Sequence, residues 1–74
     1  MKNIVYRNII AEMARNGFSR VQTAEKLGIT VSSFRKKLAG ITDFKISEVD
    51  LLISLFGNNV SYDYLLERSE GVKQ

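Results

Sequence analysis

The sequence predicts an all-α fold, a compact bundle of about five short helices forming one domain over residues 1–74. Three observations support this. Apolar residues recur at spacings of three and four in successive short blocks, the pattern of helices with one buried face. Gly or Asn-Gly closes the blocks and Ser or Thr opens most of them, residues suited to ending and starting helices. No proline occurs in the chain, so no helix interior loses a backbone donor.

The first helix is expected over about residues 3–15, where Tyr6, Ile9, Ile10 and Met13 share one face. Asn16-Gly17 ends it, because both residues tolerate the left-handed conformation of a helix C-terminus. Ser19 opens the second helix, and Gln22 three positions on completes a capping box that pairs two orphan backbone donors. Val21, Ala24 and Leu27 form its expected apolar stripe, and Gly28 stops it. Thr30 caps a third helix that runs to Ala39 before Gly40. Ser47 and Asp50 are spaced to open a fourth helix, with Val49, Leu52, Ile53 and Phe56 inside and Gly57 at the end. Ser61 opens a short fifth helix with Tyr62, Leu65 and Leu66. The last half-dozen residues are expected to fray.

Composition narrows the function classes. A chain of 74 residues buries only about 60–65% of its unfolded surface, which allows one core. There is no Cys, His or Trp, so no disulfide or thiolate metal site can staple the fold. The carboxylates are scattered over capping and surface positions, and no nucleophile–base pair or Gly-rich phosphate loop occurs. An enzyme, a cofactor and a small-molecule ligand are therefore not expected. The N-terminal stretch has no seven-residue apolar run and no small-residue cleavage site, and no segment reaches membrane-spanning length. The expected location is the cytoplasm.

Charge is unevenly placed. The formal net charge is +3, yet residues 15–45 carry seven basic residues against Glu25 and Asp43, while residues 46–74 carry five acids against Arg68 and Lys73. A basic middle beside an acidic tail suggests one face for a polyanion and another for something else.

Residues 19–40 hold the most informative spacing. Ala24 stands where two helices must cross closely, Gly28 follows where the chain turns with positive φ, and Phe34 faces back toward Ala24 and Leu27. A small residue, a Gly and a large apolar residue in that order are what a helix-turn-helix requires. On a wheel with Phe34 at 0°, Leu38 falls near about 40° and Val31 near about 60°, defining the buried face. Ser32 and Lys36 lie opposite, with Ser33, Arg35, Lys37 and Ala39 on the remaining arc. Ser32, Ser33, Arg35 and Lys36 are thus candidates for reading base edges in a major groove. Ser19, Arg20, Thr30, Lys37 and Lys45 are candidates for phosphate contacts. In most proteins a run such as Arg35-Lys36-Lys37 is simply a solvated face. The turn spacing, the scarcity of acids between 26 and 42, and the small hydroxyls at the tip favour double-stranded DNA instead.

The segment QTAEKLGITVSSFRKKLAG resembles the helix-turn-helix of the lambda-repressor-like (Cro and Xre type) transcriptional regulators. More narrowly, SSFRKKLAGITDFKISEV is similar to a phage-associated branch that typically reads F-x-x-K-L-N-G-x-x-D-F-x-x-S-E, and GNNVSYDYLLE to that superfamily's closing helix. The resemblance spans roughly residues 6–67 and implies a Cro-like repressor of a phage or mobile element. It also implies that Ser19 and Thr30 approach phosphates. Ala39 departs from the branch, which has an Asn able to contact backbone phosphate there. One such domain buries limited DNA surface, so a homodimer on a two-fold operator is expected. Leu51, Leu55, Val60, Tyr62 and Tyr64 are the interface candidates. The other function open to this sequence is a protein-interaction module, antirepressor- or antitoxin-like, that uses its fourth and fifth helices.

Overall fold

The computed structural model describes residues 5–68. The expected fraying after residue 68, and residues 3 and 4 of the first predicted helix, lie outside that range. Five helices follow in order: α1 (Arg7–Asn16), α2 (Arg20–Leu27), α3 (Val31–Leu38), α4 (Ile46–Leu55) and α5 (Tyr62–Leu65). No strand occurs among the described residues.

Local chemistry sets most of the boundaries. Gly17 closes α1 in the left-handed region. The Ser19 hydroxyl accepts from the Gln22 N–H at 3.0 Å while the Gln22 side-chain Oε1 accepts from the Ser19 N–H at 2.9 Å, the reciprocal pair expected of a capping box. Gly28 sits at φ 75°, and a side chain there would meet nothing within 4 Å. Its backbone angle, not crowding, calls for glycine. Thr30 caps α3 by accepting from the Ser33 N–H at 3.0 Å. Gly40 is constrained twice over. It lies at φ 79°, and an added Cβ would come within 2.8 Å of the Arg68 guanidinium and 3.0 Å of Val5.

The start of α4 differs from expectation. Its N-cap is Lys45, not Ser47, and Ser47 lies exposed in the first turn. Glu48 decides this: its carboxylate accepts from the Lys45 N–H at 2.9 Å, serving the orphan donor from within the helix. Asp50 accepts instead from the Tyr62 hydroxyl. At the other end, Gly57 and Asn58 both take positive φ, and Ser61 caps α5 by accepting from the Tyr64 N–H at 3.1 Å.

A single core joins the helices: Val5, Tyr6, Ile9, Met13, Ala24, Leu27, Phe34, Leu38, Val49, Leu52, Phe56 and Leu65. α2 packs on α3 and α4, and α5 packs on α1 and α4. Val21 is a correction, since it is 55% exposed. It lies about 120° around α2 from Leu27, and fully buried Thr23 takes the inner position. The threonine is tolerated there because its hydroxyl donates to the Ser19 carbonyl at 2.8 Å.

Several contacts close the bundle. The Val5 N–H donates to the Leu38 carbonyl at 2.9 Å, fastening the first described residues to the end of α3. Arg68 donates to the Tyr6 hydroxyl at 2.8 Å and lies over the Tyr6 ring. Asn8 donates to the Tyr64 carbonyl at 2.8 Å, and the Tyr64 hydroxyl donates to buried Glu12 at 3.0 Å. Glu12 in turn pairs with Arg15 at 3.5 Å.

Truncation of fully buried Phe34 to Ala is expected to cost about 3–5 kcal/mol, a large share of the stability of a domain this small. Denaturant titration of Phe34→Ala would measure this, and near-normal stability would contradict the burial. The tyrosines add a pH dependence. Hydrogen bonding to Glu12 holds the Tyr64 hydroxyl above its ordinary value of 10.0. Hydrogen bonding to Asp50 does the same for Tyr62. A raised folded-state pKa means that the stabilisation is fully present below the unfolded value and is lost as pH rises through the folded one. Denaturation midpoints of wild type should therefore fall above about pH 10, and Tyr64→Phe should fall less steeply there.

Candidate nucleic-acid interface

The third helix is amphipathic in the sense its residues dictate. Phe34 and Leu38 have no exposed surface and Val31 is half-buried against the core. Side chains on the opposite arc must then point away from the protein. Ser32, Arg35 and Lys36 are exposed, and Ser33 is half-buried. The base-reading candidates therefore sit on the outer side of α3, with the two hydroxyls in the first turn and the cations one turn on. Such a face offers a hydroxyl to base edges and cations to guanine acceptors or phosphates.

Two of the flanking candidates, Ser19 and Arg20, line a pocket together with Val31 and Arg35 of α3. Ser19 and Thr30 are exposed at the N-termini of α2 and α3. Each hydroxyl accepts from the backbone and keeps its own O–H to donate to an anion. The positive end of each helix dipole points the same way. Arg20, in the first turn of α2, and Lys45, at the start of α4, are also exposed.

Lys37 is a correction. Expected among the phosphate contacts, it is buried at 9% exposure. Its ammonium lies 3.1 Å from the Glu48 carboxylate, donates to the Asp43 carbonyl at 3.0 Å, and stands 6.0 Å from the centre of the Phe44 ring. Phe44 packs edge-on against both Tyr6 and Phe34. Of the three consecutive cations, two face solvent and one is folded in. The wheel carried a signal for this, since Lys37 lies only about 60° from Phe34. Its partner, on another helix, left no trace in the spacing.

Glu12, Glu48 and Thr23 are the other buried polar residues that sequence reasoning did not single out. All have partners: no buried side-chain nitrogen or oxygen lacks one among the described residues. Of the dimer candidates, Leu51 and Tyr62 are exposed, whereas Leu55, Val60 and Tyr64 are half-buried against the core. Ile46, not among them, is the most exposed large apolar residue described, at 72%. The described residues contain no acidic, Cys or His group able to hold a metal ion, and no helix is long and apolar enough to cross a membrane.

Residues 6–39, which run from the start of α1 to the end of α3, match the family model described as bacterial regulatory protein, Fis family. No curated protein and no solved structure matches the chain. The fold and the match together support a helix-turn-helix of the DNA-binding regulatory kind. The matched family is not the lambda-repressor-like one that the sequence resembles; the helix-turn-helix itself is common to both.

Outward side chains on α3 should be separable from stability. Ser32→Ala and Lys36→Ala are each expected to change melting behaviour by no more than about 0.5 kcal/mol. Both should alter the preferred DNA sequence in competition binding. Substantial unfolding in either would place that side chain in the core.

Proposed function

We propose that this chain is a sequence-specific double-stranded DNA-binding transcriptional regulator, acting in the cytoplasm as a Cro-like repressor of a phage or mobile element. The carrying observation is the outer face of α3, where exposed Ser32, Arg35 and Lys36 stand opposite a fully buried Phe34. The family match over residues 6–39 supports DNA binding. The repressor type rests on the resemblance of SSFRKKLAGITDFKISEV to the phage-associated branch.

In this reading α3 lies in the major groove. Ser32, Ser33, Arg35 and Lys36 face base edges, while Ser19, Arg20, Thr30 and Lys45 hold the phosphates on either side. Lys37 takes no part in direct contact. Phosphate contacts fix the register of the protein on the duplex, and the base contacts then discriminate. Two copies on a pseudo-palindromic operator would multiply the discrimination of one short helix.

Exposure of Ile46 and Leu51 on α4 favours a second reading, a protein-interaction module that keeps the fold but docks through α4 and α5. Titration of a random-sequence DNA pool at several salt concentrations distinguishes the two. A DNA regulator should lose affinity steeply, in proportion to the phosphates neutralised, and repeated selection should enrich a two-fold symmetric site. Absent or salt-indifferent binding would favour the interaction module.

A further inference from the structure

We infer that Lys37 and Glu48 are positioning residues for DNA recognition, a buried ion pair that fixes the spacing between the exposed cations of α3 and Lys45 at the end of the following loop. The inference deepens the DNA-binding reading above and rests on it.

The geometry is that of a node. One oxygen of Glu48 accepts from the Lys37 ammonium at 3.1 Å and from the Lys45 backbone N–H at 2.9 Å. The same ammonium donates to the Asp43 carbonyl at 3.0 Å. α3, the loop over residues 39–45 and the first turn of α4 are thereby joined at a single pair of buried side chains. On either side of the node stand two exposed cations, Lys36 next to Lys37 in sequence and Lys45 at the bonded N–H. Their backbones are connected by protein hydrogen bonds, not by a free loop.

A nucleic acid groove presents its phosphates and base edges at fixed separations. Cations that meet it gain little discrimination if their own separation wanders, because a mobile charge follows any sequence equally well. Fixing Lys36 relative to Lys45 is what phosphate contacts need in order to set register for the base-reading residues. Burying an ion pair is a costly way to gain stability, and a packed apolar pair does as well or better. Conformational specificity is the benefit that a buried pair can add. Here it acts on the helix that carries Ser32 and Lys36.

Four variants test this, Lys37→Arg among them. Lys37→Met keeps the packed stem and removes the charge, Glu48→Gln keeps an acceptor for the Lys45 N–H, and the double variant leaves no unpaired buried charge. Each is compared with wild type for folding by circular dichroism and for affinity toward the selected site and toward random DNA across a salt series. The double variant should fold and should bind random DNA with the wild-type salt slope, because Lys37 touches no phosphate. Its preference for the selected site over random DNA should fall about tenfold, the scale of roughly one mismatched base pair. Lys37→Arg, which preserves the charge, should recover part of that preference. A folded double variant with undiminished preference would show the pair to be structural only. A salt slope reduced by about one in Lys37→Met would make Lys37 a phosphate contact after all, and would equally overturn the inference. Failure of wild type itself to prefer any sequence would instead bring down the functional reading, and the positioning role with it.

Discussion

Phe34 is without exposed surface at the centre of the core, and the orientation of the third helix follows from that burial. Its ring packs against Phe44 and shares the core with Ala24, Leu27 and Leu38. A helix rotated so that Phe34 and Leu38 face inward must turn Ser32 and Lys36 outward, since they lie on the other side of the cylinder. The hydrophobic effect, which is not directional in itself, becomes directional through helix geometry. What sits on the far side of α3 is then available to a partner.

The same helix also shows how a charge can belong to the core. Lys37 borders the buried face, and its four-carbon stem is well suited to lie along apolar surface while the ammonium seeks a partner. Here the ammonium ends between Glu48, the Asp43 carbonyl and the Phe44 ring. A buried ammonium without partners would be prohibitively costly. Glu48 answers that need and the orphan N–H of Lys45 together, which is also why α4 begins two residues earlier than Ser47 would have set it.

Polar satisfaction recurs elsewhere in the bundle. Glu12 is buried on α1 yet bonded to Tyr64, Thr23 is buried on α2 yet bonded to Ser19, and Asn8 reaches the Tyr64 carbonyl. Two of these contacts tie α1 to α5, the short closing helix, whose one fully buried side chain is Leu65. A four-residue helix has too few internal bonds to persist alone. Its order depends on those side-chain contacts and on the Ser61 cap.

Much of this architecture was legible in the residues. The Ser19–Gln22 box, the Thr30 and Ser61 caps, the glycine stops and the buried Phe34 are local features, set by interactions within one turn or by the period of a helix. The lambda-type resemblance and the Fis-family match over residues 6–39 agree on the helix-turn-helix because it is the part most determined by local spacing. The inward turn of Lys37 and the exposure of Val21 were decided by tertiary structure. Each depends on a neighbour from elsewhere in the fold, or on which of two adjacent faces the packed core selects, and sequence spacing narrows that choice without making it.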